Sequence, residues 1–337
     1  MKRMFFILIL FIFIMGLVSA EEINISEMNI EQKVAQMVIV SGDKFDSRFL
    51  DLGVGGIFLT KQKSKEDYKK LISKYQTNSK IKLFVATDME GYWNPFDDFY
   101  KSKNFAQINN GEEAYALGKE HGNILKELGF NIDFSPVVEV RNSVWPGRSF
   151  TGSNEEVKEK IKSYIKGLQE QEILATAKHY PGGSMIKNPH IFKVRAKIYP
   201  QDLELFDFAI KNKVDAIMVG HSIVYGAMDS KGKQSSVSGE IIMDLRDKFN
   251  GLIITDAITM MGLRWSYLFS FNRKVYVDAI NAGNDIILDV WKYSGYKKVK
   301  KRINNVIKAI EKGEISEERI DESLKRILEK KGYKVVE

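Results

Sequence analysis

Two of the chain's four histidines lie in the stretch "AKHYPGGSMIKNPH", Ala177 to His190. Lys178 and His179 end an apolar run, and His190 follows a Pro-Gly-Gly break and the pair Asn188-Pro189. An ammonium on an apolar strand is costly to bury alone, so Lys178 requires a carboxylate or a ligand beside it. Other polar side chains stand at the ends of similar runs: Asp88 and Glu90 after "LFVAT", Arg148 in "PGRSF", His221 after "AIMVG" and Asp256 after "LIIT". Carboxylates, a guanidinium, an ammonium and imidazoles together suit gripping several hydroxyls and moving protons. Plainer roles compete with this one. Asp256 could cap a following helix, His190 could be a surface histidine of a remodelled loop, His121 falls inside a helical pattern and reads as structural, and His221 reads as support near Asp256. There is no cysteine, no H-E-x-x-H and no G-x-S-x-G, so no metal site and no serine elbow is expected.

These side chains need a scaffold that brings strand ends together. Eight short apolar runs recur: "MVIV" at Met37, "GGIFL" at Gly55, "LFVATD" at Leu83, "NIDFSPVV" at Asn131, "ILATAKHY" at Ile173, "AIMVGH" at Ala216, "LIITDA" at Leu252 and "DIILDV" at Asp285. Amphipathic stretches such as "YALGKEHGNILKELG" separate them, the pattern of parallel strands buried on both faces. Eight such units predict an α/β fold, a (β/α)8 TIM-type barrel forming a single domain over residues 21–337. An open doubly wound sheet is the rival, but no G-x-G-x-x-G turn follows any strand, and no cofactor is expected. The tail from Val306 reads as two helices parted at Gly313, with Ser316 as a cap for the second.

Composition narrows the partners. Residues 1–20 carry Lys2 and Arg3, an apolar run from Met4 to Val18 and small residues ending in Ala20, which reads as a signal peptide. The apolar run is shorter than the roughly 20 residues a bilayer needs, so membrane attachment is expected only through an uncleaved signal. The body is expected to be exported: secreted, periplasmic or at the cell surface. The formal charge of +7 falls to +5 without Lys2 and Arg3. The basic run "YKKVKKRINNVIK" alternates with apolar residues at helical spacing, so it reads as a solvated helix face and no nucleic-acid partner is expected.

The motifs "TDMEG", "NIDFSPVVEV", "GRSF", "AKHYPGG", "IMVGHS", "ITDAITM" and "GEISEERIDESLKRILEKK" together resemble the barrel domain of glycoside hydrolase family 3, in order from about Ile30 to Lys331. Single-domain bacterial-type β-N-acetylhexosaminidases are the branch most similar. The resemblance implies a carbohydrate partner and a retaining glycosidase in which Asp256 attacks the anomeric carbon. It also implies that His190, on the loop after strand five, is the acid/base, and that Asp88, Arg148, Lys178 and His179 bind the sugar.

The chain departs from the family pattern at two places. The pattern has Pro-Gly-His-Gly and then Asp-Ser-His, with the aspartate orienting the histidine; here stand Pro-Gly-Gly and Asn188-Pro189-His190. Asn188 accepts a hydrogen bond but adds no charge, and an analogous Asp-to-Asn change in a serine-protease triad lowers turnover about 10⁴-fold. After strand three, Tyr92 and Phe96 replace a glycine and a sugar-contacting arginine, offering rings that could stack on sugars. Two functions therefore compete: a glycosidase for terminal β-linked N-acetylglucosamine-type sugars, and a non-catalytic glycan-binding barrel with a degenerate acid/base loop. A neutral histidine repels no anion, so phosphate in place of water is a variant of the first.

Overall fold

The computed structural model describes residues 21–337; the N-terminal stretch read as a signal lies outside them. Eight parallel strands form the sheet: β1 (Val38–Ser41), β2 (Gly56–Phe58), β3 (Phe84–Thr87), β4 (Ile132–Asp133), β5 (Leu174–Tyr180), β6 (Ala216–Val219), β7 (Leu252–Thr255) and β8 (Ile287–Asp289). Their spatial order is β7-β6-β5-β4-β3-β2-β1-β8. A bridge between Ile254 and Ile286 joins β7 to the start of β8, so the ring closes. All eight apolar runs supply a barrel strand, and their residues are almost entirely buried because helices cover one side and the barrel interior the other. β4 is the shortest, since Pro136 has no N–H to continue its ladder; the segment beyond still pairs with β5 through Lys178 N to Pro136 O (3.1 Å) and Val138 N to Lys178 O (2.9 Å).

The surrounding helices are α1 (Ile30–Gln36), α2 (Ser47–Leu52), α3 (Lys65–Asn78), α4 (Gly111–Leu128), α5 (Asn154–Gln169), α6 (Pro200–Lys211), α7 (Gly239–Lys248), α8 (Met261–Tyr267), α9 (Phe271–Ala282), α10 (Tyr296–Glu311) and α11 (Glu317–Lys330). Their starts follow local chemistry: Ser153 and Glu156 form a capping box on α5, and the Ser316 hydroxyl accepts the Arg319 N–H to start α11. α4 and α5 touch through glycines. A Cβ on Gly118 would stand 2.3 Å from Tyr164 O, and one on Gly167 would stand 2.3 Å from Tyr115 O. α11 returns to pack on α1, and Lys334–Val336 pairs in parallel with Glu22–Asn24, tying the two ends of the described chain together below the barrel.

The basic run on α10 is not wholly the solvated face its spacing suggests. Arg302 is fully buried, and its guanidinium meets Asp289 at the tip of β8 and Asn272 on α9. Lysines around it remain on the exposed side.

Candidate active site

The strand tips open into one cavity of about 960 Å³, within the range of ligand sites, and it is lined by all seven residues implicated from the sequence: Asp88, Arg148, Lys178, His179, Asn188, His190 and Asp256. Three of these, Asp88, Arg148 and Lys178, are joined beneath the cavity by the buried Glu90. Lys178 Nζ lies 2.6 Å from Asp88 and 2.5 Å from Glu90, and Glu90 takes both Nε and Nη2 of Arg148 at 2.6 and 2.8 Å. The ammonium thus has the carboxylates its burial demands. Burial alone would push the Glu90 carboxyl up, but Arg148 and Lys178 outweigh it and hold it down at about 2. Burial likewise opposes the charge on Lys178, and Asp88 and Glu90 reverse that, so both partners stay ionised. Asp88 keeps a third of its side chain exposed and is the member of this network most open to a ligand.

Asp256 follows β7 and is only 9 % exposed. Its Oδ1 accepts the N–H of Ala257 at 2.7 Å, and no cation among the described residues forms an ion pair with it. The capping role does not hold: α8 begins at Met261, after Met260, with no side-chain cap. Burial pushes the Asp256 carboxyl up, yet the imidazoles of His179, His221 and His190 and the Ala257 N–H leave it net below the ordinary carboxylate range. It is an ionised, unpaired carboxylate facing the cavity.

The histidines divide by surroundings. His179 Nδ1 lies 2.8 Å from Glu139 Oε1, and the same carboxylate's Oε2 accepts the Ser184 N–H at 2.7 Å. Glu139 therefore fixes the ring of His179 and the base of the following loop together. His221 bridges Ser236 Oγ (2.7 Å) and Ala257 O (3.0 Å), so it braces the backbone that carries Asp256. His121 is buried on α4 between Ser102 and Tyr164, outside the cavity, and burial drives its pKa down to about 3.

His190 hangs over the cavity with its ring 5.8 Å from Trp145 and 5.3 Å from Trp291. Burial lowers its pKa, and the nearby Asp256 only partly offsets this. Asn188 does not touch the imidazole; its Oδ1 accepts the backbone N–H of His190 at 3.0 Å. The loop is instead held from α8, where Met261 N donates to His190 O (3.3 Å) and Gly262 N to Pro189 O (3.0 Å).

Tyr92 stands at the mouth, 41 % exposed, where a ring could meet a sugar. Phe96 does not: it is fully buried, packed against Tyr68 and Phe130, because its place in the loop turns it into the helical layer. Glu139, Trp145 and Trp291 carry roles that sequence reasoning passed over. Trp291 directly follows the β8 run, a strand-tip position that could have flagged it; Glu139 was hidden inside an apolar motif.

A closed parallel barrel with its polar side chains gathered at the strand tips is a TIM barrel of the enzyme-bearing kind. The chain belongs to glycosyl hydrolase family 3: residues 29–330 match the model of that family's N-terminal domain. It is 26 % identical over 342 residues to a β-N-acetylglucosaminidase/β-glucosidase of Cellulomonas fimi, spanning 90 % of this chain and 58 % of that protein. A β-hexosaminidase of Idiomarina loihiensis is 26 % identical over 243 residues, 67 % of this chain and 72 % of its own. Among solved structures, a family 3 β-N-acetylglucosaminidase from a Paenibacillus strain superposes with a TM-score of 0.80 at 26 % identity, over 90 % of this chain and 62 % of that one. The chain thus spans little more than half the length of some relatives it matches.

Proposed function

We propose that the protein is an exported retaining glycosidase that removes terminal β-linked N-acetylglucosamine-type sugars. Asp88, Arg148, Lys178 and His179 hold the sugar ring, with Asp88 accepting from its hydroxyls and the cations donating. An oxygen of Asp256 attacks C1 while the bond from C1 to the aglycone oxygen breaks and His190 gives that oxygen a proton. A water then adds to C1, passes a proton to His190, and Asp256 leaves. The observation that carries this reading is the unpaired Asp256 carboxylate sharing one cavity with His190.

Asn188 favours a second reading, a glycan-binding barrel whose proton chemistry has decayed, since its side chain is spent on backbone and lends the imidazole no charge. An aryl β-N-acetylglucosaminide with an acidic phenol separates the two, because its leaving group needs little protonation. The glycosidase releases phenol, and Asp256→Ala lowers that rate by about 10³-fold or more. Glycan binding without any phenol release at high protein concentration supports the second reading. Product analysis in phosphate and in a second buffer decides whether water or phosphate is the acceptor.

A further inference from the structure

Five large apolar side chains stand in solvent on one side of the cavity mouth: Ile191 and Phe192 after the His190 loop, Trp265 on α8, and Leu268 and Phe269 in the turn that follows. Trp265 Nε1 donates to Ile191 O at 3.3 Å, which ties the loop to α8, and Leu268 and Phe269 follow directly at the end of that helix. Phe269 is fully exposed and Leu268 two-thirds exposed, so the turn projects outward with its apolar side chains uncovered. An uncovered apolar tip on an otherwise packed barrel marks an interaction site.

The surrounding charge is mostly positive. Lys187 Nζ sits 4.2 Å over the ring of Phe192, and Lys193, Arg273, Lys274 and Lys292 are exposed nearby in sequence. Residues 184–201 carry four basic residues and 257–277 three, with no acid in either stretch, and Asp278, bonded to the Tyr267 hydroxyl, is the acid at their edge. The far wall of the mouth differs, for there Lys61 is answered by Asp97 and Asp98.

We propose that this face docks on an anionic lipid bilayer, with Leu268 and Phe269 entering the headgroup layer and the basic collar meeting lipid phosphates. An aromatic and aliphatic tip ringed by lysine and arginine is the composition of interfacial membrane contacts. Two residues of one turn, Leu268 and Phe269, carry the greatest exposure, which suits insertion into a fluid layer better than the broad apolar area of a stable protein interface. A polysaccharide would be met by the rings lining the cavity, not by Leu268. Because α8 holds the Pro189 and His190 carbonyls, the docked surface lies beside the acid/base loop and sets the mouth along the membrane.

The chain has no cysteine, so a single nitroxide can be placed in the full chain at Leu268→Cys or, outside the patch, at the exposed Met243→Cys on α7. On vesicles of phosphatidylglycerol and phosphatidylcholine, the 268 label is expected to become shielded from a water-soluble nickel chelate and accessible to oxygen, while the 243 label stays aqueous. Raising salt to about 0.5 M should weaken the effect, and Phe269→Ser should reduce shielding of the 268 label by about tenfold in its lipid dependence. The apolar N-terminal stretch is common to every variant and cannot distinguish the two labels. The proposal is overturned if the 268 label remains as aqueous as the 243 label. It is equally overturned if shielding is the same on phosphatidylcholine alone, or if the label is immobilised without vesicles by a second copy or by added glycan.

Discussion

Asp256 and His190 share a cavity but owe their state to different neighbours. The Asp256 carboxyl is drawn below the ordinary carboxylate range by the histidines around it and a backbone N–H, whereas desolvation lowers the His190 pKa and Asp256 only partly offsets that. A general acid must carry its proton at the working pH. With the His190 pKa below the usual 6.5, kcat/KM on substrates with poor leaving groups is expected to fall as pH rises through that depressed value, giving an acid-shifted profile. Asn188→Asp places a negative charge on the same loop, and its alkaline limb is expected to move to higher pH; an unmoved limb would show that His190 is not the titrating acid. Most of this site was legible as residue types at strand tips, which is why the seven implicated residues meet in one cavity. Their partners were not. Nothing in the spacing says that Asn188 would cap a backbone N–H, or that Glu139 would reach both His179 and Ser184, because those contacts depend on loop conformation rather than on strand register.

Among the elements, α8 holds the loop that carries His190, through Met261 N to His190 O and Gly262 N to Pro189 O. Gly262 permits this: a Cβ there would stand 2.6 Å from Pro189 O and 2.7 Å from Phe192 O. Gly262→Ala is expected to push the loop off α8 and lower kcat by about 10²-fold, the effect of a misplacement near 1 Å, while phenol release from an activated substrate falls much less. Equal losses on both substrates would place the damage at Asp256 instead. Sequence periodicity located the eight strands well, since buried parallel strands are nearly continuous apolar runs. It misjudged Phe96 and Arg302 because pattern gives the face of an element, not the neighbour that fills it. Phe96 belongs to the aromatic packing around Tyr68, and Arg302 turns inward to meet Asp289.

For the whole molecule, pH acts on stability through buried groups. His121 joins α4 to α5 by its contact with the Tyr164 hydroxyl, and its folded pKa of about 3 lies below the ordinary 6.5. Between those values the unfolded chain binds a proton that the folded protein does not, so this group's contribution to stability rises with pH and is lost as pH falls from about 6.5 toward 3. Asp133, held up at about 8 by burial, acts in the opposite sense over pH 4–8. Chemical denaturation at pH 4.5 and pH 7 should therefore show His121→Gln with a smaller loss toward acid than the parent protein; an identical pH dependence would mean His121 is not buried neutral. The bridge between Ile254 and Ile286 closes the ring next to β7, so the place of Asp256 beside the other strand tips is a property of the closed barrel.

The most direct test is mass spectrometry of the protein after incubation with a 5-fluoro N-acetylglucosaminyl fluoride, which lets the first displacement outrun the second. A single sugar adduct on the peptide carrying Asp256, absent in Asp256→Ala, is the expected result. Full turnover with no adduct there, or an adduct on a different carboxylate, would contradict the assignment.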